Sequence, residues 1–225
     1  MADLSILTQG APNKIVEAWY EADYKPRHRL GISEVGHKCS RYLWYVHNDY
    51  PAVPPEGRLL RLFQLGNLIE DQVITDLLTA GFKIYGRQRE KMLEFDGIQI
   101  KGHCDGIIEN LMESSKPHLL EIKSSNEKRF KKLVKSGYEK WDEKYKAQGH
   151  VSMLGMGLKR CLVWVENKND STTYTERISL DKDYALKVLE KAFSAISSTI
   201  MPSRVCPKPD WFEAKWCKFY PVCFR

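Results

Sequence analysis

Asp105, Glu121 and Lys123 are the residues of this chain whose types and spacing suit chemistry. Asp105 lies in Gly102-His-Cys-Asp-Gly106, and after a polar break the chain runs His118-Leu-Leu-Glu-Ile-Lys123. Both segments read as apolar strands, whose side chains alternate between faces. Glu121 and Lys123 therefore project to one side, with Ile122 packed behind them. If the two strands pair as a hairpin, Asp105 reaches that side too. Two carboxylates there can hold a hard divalent cation, which prefers oxygen ligands, with an ammonium beside it. Metal-dependent cleavage of a phosphodiester needs that set, and nucleic acid is the substrate it implies. Acidic and lysine residues are common in exposed hairpins, so the pattern alone is weak. The apolar setting of Leu119, Leu120 and Ile122 strengthens it.

The elements that must position these groups follow from periodicity. Residues 11–22 read as a short helix, and Ser33 as the N-cap of a second that runs through Cys39 to about Val46. Pro51, Pro54 and Pro55 break the chain. Residues 58–78 form a long helix, with Leu62, Leu65, Ile69, Val73 and Leu77 at helical spacing. Strand signals dominate 83–123, interrupted at Asp96-Gly97 and around 113–116. Residues 128–158 return to helix, broken near Ser136-Gly137, and 160–167 with 172–180 form a hairpin. Asp181 caps a last amphipathic helix that Pro202 ends. This order predicts an α/β protein with a mixed sheet flanked by helices. Glu70 shares the inward stripe of the long helix. A carboxylate there is costly unless paired, so Glu70 is either a metal ligand or the partner of an inward arginine. Asp71 and Asp76 are free to face water.

At 225 residues the chain fits one domain with a real core. The net charge of +6 leans toward a polyanionic partner. No membrane span and no secretory signal is visible, including at Met1-Ala-Asp-Leu-Ser-Ile6, which makes a cytoplasmic location the expectation. The six cysteines then read as ligands or core residues rather than disulfides. Cys104 and Cys161 lie in apolar strands and read as core. His103 and Cys104, adjacent on a strand, face opposite ways and form no dyad. His37, His47, His118 and His150 show no ligand spacing.

The ordered series Gly66-x-x-x-Glu70, Gly102-x-x-Asp105-Gly106, Glu121-Ile-Lys123 and Tyr145-x-x-Gln148 resembles the PD-(D/E)xK nuclease superfamily, RecB-like exonuclease branch, over residues 30–168. The resemblance implies a restriction-endonuclease-like core. It makes Asp105 and Glu121 ligands of Mg²⁺ or Mn²⁺, with Glu70 a ligand directly or through water and the carbonyl of Ile122 a further one. Lys123 becomes the catalytic lysine that orients the attacking water, and Gln148 contacts that water or a phosphate. Two departures stand out. Cys104 replaces the proline before the aspartate, and Ser152 stands where the helix of Gln148 would carry a tyrosine, a role that Tyr145 can take.

Cys39 lies near one end of the chain and Cys206, Cys217 and Cys223 near the other, in a tail from Ser203 that reads as irregular. The segment from Ile32 to Tyr45 is similar to the first motif of iron–sulfur RecB-like nucleases, among them CRISPR-associated members and the AddB nuclease domain. That likeness implies one [4Fe–4S] cluster on these four thiolates, joining tail 203–225 to Cys39 within a single nuclease domain, 1–225. The ten residues from Cys206 to Cys217 are wider than usual, which leaves Cys206 the least secure ligand. Zinc is the rival occupant, though the chain has no C-x-x-C pair. Trp211, Phe212, Trp216, Phe219 and Tyr220 are expected to shield the metal.

Lys128, Arg129, Lys131, Lys132 and Lys135 crowd the segment after the Glu-x-Lys strand. They form either a solvated helix face or a phosphate-binding one. Tyr138, Trp141 and Tyr145 either stack on bases or seal the core. The expected activity is a metal-dependent exonuclease acting on single-stranded DNA or DNA ends. The alternatives are an endonuclease or junction-cleaving relative, and a cluster- or zinc-bearing binding module without catalysis. No motor motif such as a P-loop is present, which leaves room for a helicase or recombination partner.

Overall fold

The structure, a computed structural model, is described for residues 12–95, 98–112 and 114–225. The expected break at Asp96-Gly97, Glu113 in the second break, and the segment Met1 to Ile6 fall outside them. Helix α1 is Pro12–Asp23, α2 Ser40–His47 and α3 Gly57–Thr79. Strands β1 (Lys83–Tyr85), β2 (Glu90–Phe95), β3 (Ile98–His103), β4 (Gly106–Glu109) and β5 (His118–Ser125) follow. Then come α4 (Glu127–Ser136), α5 (Tyr138–Trp141), α6 (Glu143–Met156), β6 (Arg160–Asn167), β7 (Thr173–Ser179) and α7 (Lys182–Ser197). The tail holds two single turns, α8 (Phe212–Lys215) and α9 (Tyr220–Cys223).

Five strands form one mixed sheet in the order β1-β4-β5-β6-β7. The β5–β6 pair is parallel and is bridged by α4, α5 and α6; the other pairs are antiparallel. β2 and β3 make a separate hairpin. The mixed sheet between helices is the expected architecture, and the β4–β5 hairpin is the pairing that Asp105 required. Alternation along β5 divides the core. Leu120 and Ile122 pack with Val73, Ile74 and Leu77 of α3, whereas Leu119 packs with Leu133, Tyr138, Trp141 and Met153 from α4–α6. Glu121 and Lys123, in step with Leu119, thus point to the α6 side. A third cluster joins α2, β3 and α7 to Phe219 of the tail.

Several local expectations need correction. Ser33 caps no long helix: Ile32–Glu34 is a single 3₁₀ turn, and α2 starts only after Cys39, which takes the N-cap position. Gly36 sits in the intervening bend. A Cβ there would lie 2.4 Å from that of Ala147 on α6, so only a glycine lets the loop approach this closely. The inward stripe of α3 is real from Ile69 onward, but Leu62 and Leu65 are exposed because the N-terminal half of the helix overhangs the sheet. The 128–158 helix is three pieces. Gly137, at φ 73°, ends α4, and Asp142 caps α6 by accepting from the Lys144 N–H. Asp181 caps α7 by accepting from the Tyr184 N–H, as expected, although α7 ends at Ser197, well before Pro202. Among the described residues, no helix is long and apolar enough to cross a membrane.

Candidate active site and cysteine cavity

Asp105 stands in the bend just before β4, one residue beyond the Gly106–Leu120 pair. That register sets it beside the middle of Glu-Ile-Lys. The Ile122 N–H donates to Asp105 Oδ2 at 2.7 Å. Lys123 Nζ lies 2.5 Å from Glu121 Oε1 and donates to the Ile122 carbonyl at 3.2 Å. The Glu121 side chain is 1% exposed and that of Lys123 17%. Beyond the ammonium, neither Glu121 oxygen has a hydrogen bond among the described residues. Burial lifts Asp105 to about 7, against the pull of Lys123 and with the Glu121 and Glu70 carboxylates adding to the rise. Burial also works to discharge Lys123, but Glu121 and Asp105 outweigh it and hold the ammonium above its ordinary pKa.

Glu70, half-buried on α3, is raised by burial and steadied by Lys123 and by Gln88 Nε2, which donates to Oε1 at 2.9 Å. Its partner is therefore an amide from the turn after β1, not an inward arginine. Gln88 itself is held at φ 52° and donates its N–H to the Cys104 carbonyl at 2.9 Å. The neighbouring Asp71 faces solvent but pairs with Arg87 at 2.5 Å.

Tyr145 of α6 brings its ring 5.8 Å from Lys123 Nζ. Gln148, one turn on, shares that face and is half-buried between Ala147 and Gly149; among the described residues it makes no hydrogen bond to the carboxylates. Arg129 packs on both Trp141 and Tyr145 (5.4 Å each) and pairs with Asp142 at 2.7 Å. Its guanidinium is thus fixed near the lysine while almost half its side chain stays exposed. Lys131 pairs with Glu127 at 2.6 Å, Lys132 donates to the Trp141 carbonyl at 2.6 Å, and Lys128 is exposed. Tyr138 and Trp141 seal the core.

Among the described residues no three His, Cys, Asp or Glu side chains are closed around a common metal position. The donor set nevertheless fits a hard divalent cation. Among the described residues Glu121 meets only the Lys123 ammonium, and Asp105 is pushed toward neutrality by burial and then by the neighbouring carboxylates, a state that a cation relieves. Asp105 and Glu121, with Glu70 and the Ile122 carbonyl, are the groups that would hold it.

Cys39, Cys206, Cys217 and Cys223 line one broad cavity of about 1640 Å³ between α2, the start of α3 and the tail. Burial raises Cys217, and Cys223, Cys39 and Cys206 add to it; burial also raises Cys206, with Cys39 and Cys223 among the contributors. All six cysteines are free thiols, and Cys104 and Cys161 are core residues. Of the tail aromatics, Phe212, Trp216 and Tyr220 line the cysteine cavity while staying exposed, Phe219 is buried against Tyr42 and Tyr45, and Trp211 is exposed outside the cavity lining.

Sequence reasoning missed Lys91 and Gln88. Lys91 of β2 is 2% exposed and donates to Ser152 Oγ at 2.6 Å. Alternation puts it in step with Leu93, but nothing local marks that face as the inward one. Ser152, where a tyrosine was expected, thus receives a buried ammonium.

No family model and no curated protein matches the chain. Among solved structures it is similar to the crystal structure of SSO0001, with a TM-score of 0.54 and 17% identity, covering 96% of this chain and 97% of that one. It is also similar to LHK-Exo, an alkaline exonuclease from Laribacter hongkongensis, with a TM-score of 0.50 and 16% identity, covering 80% of this chain and 90% of that one. At such identities the likeness shows the fold, a restriction-endonuclease-like mixed sheet flanked by helices.

Proposed function

We propose that this chain is a Mg²⁺- or Mn²⁺-dependent deoxyribonuclease, an exonuclease on single-stranded DNA or DNA ends. The observation that carries the reading is the convergence of Asp105, Glu121 and Lys123 on a buried hairpin, with the Ile122 N–H clasping Asp105. The shared fold with an alkaline exonuclease supports it. A bound cation would polarise the phosphate and acidify a water. Asp105 and Glu121 hold that charge, with Glu70 and the Ile122 carbonyl completing the set. Lys123, kept protonated by its carboxylate neighbours, orients the attacking water and offsets charge on the phosphate. Gln148 and Tyr145 border the phosphate, and Arg129, Lys128, Lys131 and Lys132 hold the backbone without reading sequence.

The cysteine cavity is assigned to a structural [4Fe–4S] cluster on Cys39, Cys206, Cys217 and Cys223. The four cysteines line one cavity, which supports this. Zinc is the alternative, which iron and sulfide analysis of anaerobically purified protein separates. The cluster would tie residues 203–225 to Cys39 in one nuclease domain.

End-labelled DNA incubated with Mg²⁺ or Mn²⁺ tests the activity. Wild type shortens it, and Asp105→Ala and Lys123→Ala each reduce the rate by about 10²–10³-fold or more, with DNA binding retained. Circular DNA stays intact if the enzyme is an exonuclease and is cut if it is an endonuclease. Wild type with an intact cluster that cleaves no DNA or RNA leaves only a binding module.

A further inference from the structure

Strand β2 is built inside out. Lys91 is 2% exposed, while the adjacent Met92 is 46% exposed. On a half-buried strand hydropathy puts methionine inward and lysine outward. The inversion is held by α6: Lys91 meets Ser152 and Leu93 meets Gly155, whose added Cβ would lie 3.5 Å from Leu93 Cγ. Positions 91 and 93 share a strand face, and 152 and 155 share a helix face, so register and packing agree. Opposite Lys91 on β3 stands Gly102, where an added Cβ would lie 2.9 Å from that of Ile32, so the 3₁₀ turn packs closely on this part of the hairpin.

A buried ammonium that meets one hydroxyl is short of compensation. Burial lowers the pKa of Lys91, and the groups that oppose this are Glu121 first, then Cys104 and Asp105, while Lys123 acts with burial. The nearby negative charge is thus that of the acidic site. Among the described residues Glu121 in turn meets only the Lys123 ammonium, at 2.5 Å.

We propose that Lys91 is a positioning residue of the acidic site: its buried ammonium, anchored on Ser152, is a second counter-charge for Glu121 and Asp105, and it weakens the hold of those carboxylates on a divalent cation. Ser152 lies one turn beyond Gln148 on α6, so the hairpin brings the buried Lys91 to the helix that Glu121 and Lys123 also face, while Lys123 stays partly exposed. The part that concerns cations rests on the proposed metal site. The counter-charge does not.

Two measurements separate them. The first is a double-mutant cycle on thermal unfolding of metal-free protein, pairing Lys91→Met with Glu121→Gln. Lys91→Met alone is expected to lower Tm by about 5 °C or more. In the Glu121→Gln background the loss shrinks to less than half. Additive losses overturn the proposal. Should Lys91→Met not fold, Lys91→Gln, which keeps a hydrogen bond to Ser152, replaces it. Failure of both with Glu121 present and recovery with Glu121→Gln is the same coupling in stronger form, and failure in both backgrounds refutes it.

The second is calorimetric titration with Mn²⁺ alone at pH 8.5. Lys91→Met or Lys91→Gln binds about tenfold tighter than wild type, because a like charge has left the neighbourhood of the dication. Ser152→Ala, which keeps the charge, stays within about twofold of wild type. Unchanged or weaker binding by both Lys91 variants, or a Ser152→Ala protein that behaves as they do, defeats the proposal. If no protein binds Mn²⁺ while the unfolding cycle shows coupling, the metal reading fails and the counter-charge stands.

Discussion

The acidic site and the cysteine cavity are each lined by groups that invite a metal, and they are held in opposite ways. The acidic site is built on strand register: the Gly106–Leu120 pair and the Ile122 N–H fix Asp105, and Glu121 follows from β5 alone. The cavity is bounded by two distant pieces of chain with no strand between them. Side chains reaching over join them: Arg41 Nε donates to the Pro202 carbonyl (2.6 Å) and Trp44 Nε1 to that of Ser198 (2.9 Å), while within the tail Arg204 Nη1 donates to the Cys223 carbonyl (2.8 Å). Glu34 accepts from the Tyr42 hydroxyl at 2.7 Å and pairs with Lys218 at 3.3 Å, and Lys38 pairs with Glu213. Exposed pairs of this kind contribute only about 0–1 kcal/mol each. The sheet thus holds its site by backbone pairing, whereas the tail is held by these contacts, by the Val53 N–H donating to the Lys218 carbonyl at 2.8 Å and by Phe219 buried against Tyr42 and Tyr45.

The largest effect expected from this contrast is on local opening. Cys217→Ser, or chelation of the proposed cluster, should raise amide exchange across residues 203–225 by about 100-fold or more while β5 and β6 keep their protection. Loss of protection in β5 as well would make the two regions one cooperative unit. Next is pH. Asp105 titrates near 7 when folded and at about 3.8 otherwise, so the folded state binds more protons between those values. Stability of metal-free protein should thus fall as pH rises from 4 to 7, by on the order of 4 kcal/mol, and stay low above that. Asp105→Asn should flatten the curve in urea unfolding, and a curve as steep as wild type would assign the proton elsewhere. The smallest effect tests the one place where the regions touch. Gly36→Ala pushes a methyl into Ala147 beside Gln148, and should cost about 1–3 kcal/mol in unfolding, with a loss of cleavage that Asp105→Asn protein cannot display. An unchanged cleavage rate would mean that the loop before Cys39 does not brace α6.

The sheet and its charges were legible because strand chemistry is local. Alternation around Leu119 to Lys123 predicted which side chains share a face, and β5 obeys it. The break at Gly137 was legible too, but the second one at Asp142 and the start of α2 were not. Leu62 and Leu65 carry the period of a buried stripe, yet periodicity does not say how far a sheet extends beneath a helix. Lys91 was invisible for a related reason. Its environment is made by α6, a partner some sixty residues away, and nothing in Glu-Lys-Met-Leu announces that the lysine turns inward.

The single parallel pair has a consequence for synthesis. β5 carries Glu121 and Lys123, but its pairing from Leu119 to Ser125 is with β6, residues 161–167, which leave the ribosome only after α4, α5 and α6. Such a long-range junction closes late, because the loop between must be ordered before the pairing repays it. Until then Glu121 and Lys123 remain hydrated, and Tyr145 and Gln148 are not beside them. A nascent chain therefore carries Asp105, Glu121 and Lys123 before the crossover that sets Tyr145 and Gln148 beside them is complete.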